Sequence, residues 1–231
     1  MSVSLSLSQN EDSGLSAAEQ VAATLTDMIL DGKYAPGERI RQEEIAEQFG
    51  ISRQPVREAL RMLAAEGLAE VEANKSARVT QLDEAQLTLL YQMRERLEPL
   101  ALVESIPNLD SSTIARLREI QARIAADSEL RDFLALDREF HMLTYSGCVD
   151  EQLLAIVRRF WNSSQHYRRA FMRVSGRERL WVVNAEHELI IDAIERRDTD
   201  DAERYLVGHI RRTRIELSKH PEVFAVATGP E

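Results

Sequence analysis

A single cysteine, Cys148, among 231 residues rules out an intramolecular disulfide and a cysteine-based zinc ribbon, and reads as a small buried residue. No apolar run approaches the roughly 20 residues that a membrane-spanning helix needs. Met1 to Gln9 lacks the basic start and continuous apolar block of a secretory signal. A cytoplasmic protein with no membrane partner is the expectation. Positive charge is also short: 29 Lys and Arg stand against 39 Asp and Glu, a formal net charge of −10, which argues against a generally basic nucleic-acid binder. Strand patterns are missing from Asp83 onward. What is present is enough chain for two modest cores, the first with a short β-hairpin and the second helical throughout.

The most informative stretch runs from Pro36 to Leu68. Ile45, Ala46 and Phe49 form an apolar edge, Gly50 breaks that helix, and Ser52 stands where a side-chain oxygen can cap the next one. Pro55 falls in the first turn of the second helix, where a missing N–H costs nothing, and Val56, Ala59, Leu60 and Leu63 form its buried stripe. Arg53, Arg57 and Arg61 recur every fourth residue on the other face, beside Gln54. Two readings fit that face: a solvated row of charges, or a recognition helix whose arginines reach guanine edges and phosphates. The surroundings favour the second. Val21, Leu25 and Ile29 mark a preceding helix, while Ala69 to Glu72 and Ala77 to Thr80 read as a hairpin around Asn74 and Lys75. Three helices and a hairpin make a winged helix-turn-helix. From Leu15 to Leu82 there are 8 basic and 11 acidic residues, a balance of −3, so attraction to DNA has to be local and steeply salt-dependent.

Beyond Asp83 the periodicity predicts six helices, near 84–105, 111–126, 130–145, 151–174, 177–196 and 200–219, with Pro107, Gly147, Gly176 and Asp198-Thr199-Asp200 as punctuation. Within them Asp137 and His141 share a helical face at i, i+4, and His187 and His209 lie on two other helices. Three imidazoles and a carboxylate suit zinc, nickel, manganese or a similar divalent ion. A helix histidine is more often a satisfied polar residue, and on the residues alone that reading stays open. Arg94 reads either as an exposed i, i+4 partner of Glu98 or as a guanidinium facing a small carboxylic acid. His166 lies beside Arg168 and Arg169 in what reads as a solvated flank, and Phe160, Trp161 and Phe171 read as core.

Leu15 to Leu82 resembles the DNA-binding domain of the GntR family of bacterial transcription regulators. The resemblance rests on Pro36-Gly37-Glu38-Arg39-Ile40, Glu44-Ile45-Ala46, Ser52-Arg53-Gln54-Pro55-Val56-Arg57-Glu58-Ala59-Leu60, Leu63 and Glu66-Gly67-Leu68. It implies operator contacts from Arg41, Ser52, Arg53, Gln54 and Arg57, with Lys75 reaching phosphate from the wing. Where such wings usually carry a glycine for close backbone approach, Ser76 stands in its place. Glu84 to His209 resembles the FCD effector domain of the FadR branch, through Met93-Arg94, Leu97-Glu98-Pro99-Leu100-Ala101, Asp137-Arg138-Glu139-Phe140-His141, Glu186-His187 and His209-Ile210. That resemblance implies a divalent metal, zinc or nickel foremost, on Asp137, His141, His187 and His209, and an effector-facing Arg94.

The expected architecture is therefore mainly α. Residues 1–14 are read as disordered, 15–82 as the winged helix-turn-helix, 83–220 as a six-helix FCD bundle for effector binding and dimerisation, and 221–231 as a flexible tail. The expected function is a ligand-responsive regulator, a homodimer on a near-palindromic operator, with DNA affinity set by a small organic or sugar acid. A metal-dependent enzyme would need a general base or nucleophile constellation that the sequence does not display. An effectorless nucleoid-type binder fits neither the acidic balance nor the long helical half.

Overall fold

The computed structural model describes residues 14–72, 76–126, 130–175 and 180–224. The chain divides after Leu82 into two compact units. In the first, α1 (Ala17–Leu30) begins in a capping box, with Ser16 accepting from the Glu19 amide and the Glu19 carboxylate accepting from the Ser16 amide. A short strand β1 (Arg39–Arg41) leads into α2 (Gln42–Phe49) and α3 (Arg53–Ala65), and β2 (Ala69–Glu72) and β3 (Ser76–Val79) form the wing. Gly50 closes α2 at φ +66°, a left-handed position that a residue with a Cβ fills only under strain.

The sheet order is β1-β3-β2, antiparallel throughout, with Ile40 opposite Ala77 and Val71 opposite Ala77 on the other side. Strand β1 is absent from the sequence expectation. Three residues with one buried position carry no period of their own, and only pairing with β3, 37 residues later, makes them a strand. Val21, Leu25 and Ile29 from α1, Val56, Leu60 and Leu63 from α3, and Ile40, Ala77 and Val79 from the sheet close one core.

The second unit contains α4 (Glu84–Ser105), a single 3-10 turn at Ile106–Asn108, α5 (Ser111–Ala125), α6 (Leu130–Thr144), α7 (Glu151–Ser175), α8 (Leu180–Glu195) and α9 (Thr199–Leu217). Helix α9 runs along α4 and α8, α5 packs on α6 and α8, and α7 on α4. The fold is mainly α with a small sheet in the wing, as read from the sequence. The turn after α6 docks on the end of α4 through Gly147, whose amide donates to Ser105 Oγ at 2.8 Å and whose carbonyl accepts from Asn108 Nδ2 at 2.8 Å. A Cβ at Gly147 would stand 2.4 Å from the Ser105 carbonyl oxygen, so this contact admits no side chain. Cys148 beside it is buried, as expected.

Packing also continues past the expected end of the bundle. Val223 is fully buried and the Phe224 ring lies 5.5 Å from that of Tyr167, so Pro221–Phe224 belong to the folded unit and not to a flexible tail. Residues 1–13 and 225–231, and the wing tip 73–75 with Lys75, lie outside the described residues.

Leu63 is 1 % exposed, at the centre of the first core. Leu63→Ala is expected to cost about 2–5 kcal/mol of stability. In urea titrations that should appear as a lower midpoint for the N-terminal unit; an unchanged midpoint would contradict this packing.

Candidate functional site

Helix α3 presents Arg53, Gln54 and Arg61 to solvent, with Arg57 half-buried between them. Several of these groups are already paired with acids of the same unit. Arg53 NH1 lies 3.2 Å from Glu43, Arg41 NH1 is 2.8 Å from Glu44, and Gln54 Nε2 donates to Glu58 at 2.8 Å. Exposed pairs of this kind contribute only about 0–1 kcal/mol each, so a phosphate can displace the acid at little cost. Ser52 does hold the N-cap position of α3 with extended backbone, but its hydroxyl makes no cap hydrogen bond, contrary to expectation. The first amides of α3 therefore lack that side-chain acceptor. Ser76 is not a tip residue: it opens β3, is 2 % exposed, donates to Glu72 Oε2 at 2.7 Å and accepts from Arg39 Nε at 3.0 Å. It ties together the last strand pair before the turn and joins it to Arg39 of β1.

In the second unit each expected ligand occupies a place in a buried stripe. His141 follows Phe133, Asp137 and Phe140 along α6, His187 precedes Ile190, Ile191 and Ile194 on α8, and His209 sits with Leu206 and Ile210 on α9. The three rings meet with centroids 5.0–5.2 Å apart, and one ligating atom from each lies within 4.8 Å of the others. Asp137 stands beside this set, its Oδ1 3.6 Å from His187 Nε2.

Orientation comes from neighbouring polar groups. His187 Nδ1 is 2.8 Å from Gln121 Oε1 and His209 Nδ1 is 2.8 Å from Glu186 Oε2, which points the Nε2 of each ring toward the centre. His187 Nε2 and His141 Nδ1 are buried without a hydrogen-bond partner, an arrangement that costs free energy unless something ligates them. Burial, followed by the positive surroundings of His209, His187, Arg168 and Arg94, holds His141 well below the usual imidazole pKa. Burial also takes His187 down to about 3, so at neutral pH both rings are in the neutral, ligating form. For Asp137 burial opposes ionisation, but the charge and hydrogen bond of Arg168 work against it and the carboxyl is held below its usual pKa. Neutral imidazoles with orphaned nitrogens and an ionised carboxylate are a donor set that fits a divalent ion.

His141 and His209 open onto a cavity of about 70 Å³, lined also by Arg94, Asp137, Trp161 and Arg168 among others. By the same measure one water takes about 10–15 Å³, so the space accepts roughly five to seven water-sized groups.

Residues 17–79 match the family described as bacterial regulatory proteins, gntR family, and residues 89–212, more than half of the chain, match the FCD domain. The chain belongs to the GntR family. This GntR regulator is 31% identical over 196 residues to a probable D-xylose utilization operon transcriptional repressor of Paenarthrobacter nicotinovorans, covering 84% of this chain and 85% of that one. It is 30% identical over 187 residues to the Nta operon transcriptional regulator of Aminobacter aminovorans, covering 80% and 87% respectively. The solved structure of E. coli McbR/YncC shares the fold, with a TM-score of 0.78 at 21% identity over 89% of this chain and 99% of that one. These relatives are transcription regulators, not enzymes, and no helix among the described residues is long and apolar enough to cross a membrane.

In this regulator the effector-side residues differ from their sequence reading. Arg94 is not an exposed partner of Glu98: it is 3 % exposed, paired with Glu98 inside the bundle, with NH1 3.3 Å from Ser164 Oγ and its guanidinium 4.5 Å from the Trp161 ring. Glu98, wholly buried, also accepts from Tyr145 OH at 2.7 Å and Trp161 Nε1 at 3.1 Å. Trp161 and Phe171, read as plain core, line the cavity; Phe160 does not. His166 is buried, not a solvated flank, and is not among the lining residues. Arg168, placed in the same flank, reaches into the cavity and pairs with Asp137. Its signal was its spacing of seven from Trp161, two turns along one face. Gln121 also carried a signal, as the polar member of the stripe Leu117, Ile120 and Ile124.

Removing one partner of a buried ion pair strands the other. Glu98→Ala is therefore expected to destabilise the helical unit by about 3–5 kcal/mol, measured by urea denaturation. A loss under about 1 kcal/mol, the range of exposed pairs, would show that Arg94 and Glu98 are solvated in solution.

Proposed function

We propose that this GntR-family regulator binds a near-palindromic operator as a homodimer, and that a small carboxylic acid held at a divalent metal site in its FCD domain sets its DNA affinity. The observation carrying this reading is the meeting of three buried imidazoles from three helices beside a cavity that also contains two arginines. A chain with a winged helix-turn-helix has a use for such a cavity only if occupancy alters DNA binding.

On the DNA side, Arg53, Gln54 and Arg57 would read base edges, and Arg41, Ser52 and Lys75 would hold phosphates. Two recognition helices related by a two-fold axis match a palindromic site. On the effector side, Asp137, His141, His187 and His209 would hold the ion. The ion supplies a Lewis-acidic anchor for a carboxylate oxygen. The protein's own residues do the rest: Gln121 and Glu186 fix ring orientation, and the walls from Trp161 and Phe171 exclude water. A cavity of about 70 Å³ suits a small organic or sugar acid. The two named relatives regulate different operons, so wall residues and not the ligand set would decide which acid is sensed.

An effector acts by binding the DNA-competent and incompetent arrangements unequally. A ten- to hundredfold change in operator affinity requires about 1.4–2.8 kcal/mol of difference.

Arg53→Ala and Arg57→Ala are each expected to weaken operator binding by about 1–3 kcal/mol with an unchanged circular dichroism spectrum. Full affinity in mobility-shift titrations would remove them from the interface. A small acid at a hundred times its Kd is expected to stabilise the metal-loaded protein by about 2.7 kcal/mol and the chelator-treated protein not at all. Equal thermal shifts in both forms would separate the acid from the metal.

A further inference from the structure

We propose that Arg168 and a divalent ion compete for the Asp137 carboxylate, so that loading the ion releases the Arg168 guanidinium to bind a small dicarboxylate effector. This rests on the metal reading above and adds to it a coupling device.

Asp137 faces two ways. Its Oδ1 lies 3.6 Å from His187 Nε2, while Oδ2 accepts a hydrogen bond from Arg168 NH2. Both side chains are nearly closed to solvent, 4 % exposed for Asp137 and 11 % for Arg168. The guanidinium is otherwise lightly held, its carbon 4.3 Å from the Trp161 ring and NH1 3.4 Å from Gln165 Oε1. Arg94 is held far more firmly. Its Nε and NH2 both meet Glu98, its NH1 meets Ser164, and Tyr91 and Trp161 flank it at 4.8 and 4.5 Å. Of the two arginines lining the cavity, Arg168 is the one free to change partners.

Charge balance supplies the force. Arg94 is matched by Glu98, Arg168 by Asp137 and Arg212 by Glu186. A divalent ion among the histidines adds two positive charges where water screens poorly, and it takes the carboxylate that Arg168 was using. Two negative charges restore the balance. A dicarboxylate offers one group to the ion and the other to the planar fork of Arg168, a bidentate geometry that lysine cannot reproduce. Metal and acid then bind with positive coupling, each tightening the other by the same factor.

The test uses the full chain, Zn²⁺ and malonate. In anion-poor buffer, Zn²⁺ affinity measured against a chromophoric chelator is expected to rise about tenfold or more in Arg168→Gln, because the competing charge is gone. Arg168→Lys, which keeps the charge, is expected to stay near the parent. An Arg168→Gln affinity equal to or weaker than the parent's overturns the competition while leaving the metal site standing. A parent that binds no Zn²⁺ overturns the metal reading itself and the coupling with it.

Labelling of the unmodified sequence provides a second readout that needs no variant to fold. Phenylglyoxal modification of Arg168, followed by peptide mass spectrometry, is expected to rise severalfold on adding Zn²⁺ and to fall again with malonate at fixed free Zn²⁺, with Arg94 protected throughout. Arg168 labelling that ignores Zn²⁺ overturns the proposal.

Discussion

Two buried carboxylates, Glu98 and Asp137, impose the arrangement at the centre of the helical unit. A carboxylate out of water must be met by positive charge and hydrogen-bond donors or it gives up its ionisation. Glu98 draws Arg94 from its own helix α4, Tyr145 from the end of α6 and Trp161 from α7. Asp137 draws Arg168 from α7 and stands against His187 of α8. Between them these two groups cross-link four helices, and Asp137 lines the cavity. Apolar stripes alone would pack these helices but would leave their rotation free by a fraction of a turn; the ion pairs remove that freedom.

The same constraint separates the roles of the two arginines. Arg94 sits in a closed set of partners, sandwiched between aromatic rings, and behaves as part of the scaffold. Arg168 touches the group that the histidines also approach. The Gln121 and Glu186 contacts to the outer nitrogens of His187 and His209 give this region its inward-facing donors before any ligand arrives, which lowers the ordering cost of binding.

The DNA-binding unit solves a different electrostatic problem. It is acidic overall, yet the candidate contact face is basic, and Glu43, Glu44 and Glu58 rest against its Arg53, Arg41 and Gln54. Such exposed pairs hold the side chains near one orientation without binding them tightly.

By itself the sequence determined the order and type of nearly every element and the identity of the histidine set. Helical periods of Val56, Ala59, Leu60 and Leu63 or of His187, Ile190, Ile191 and Ile194 are local signals, spelled within a few turns. The motif around Ser52 to Leu60 was legible for the same reason. Strand β1, the structural place of Ser76, the packing of Val223, the burial of Arg94 and the reach of Arg168 were decided only by tertiary structure. Each depends on residues far away in the chain: Arg39 meets Ser76 across 37 positions, Arg168 meets Asp137 across 31, and His187 meets Gln121 across 66. A one-dimensional pattern reports which face of a helix is apolar. It does not report which charge on the opposing helix that face will meet, because that follows from how the helices close on one another.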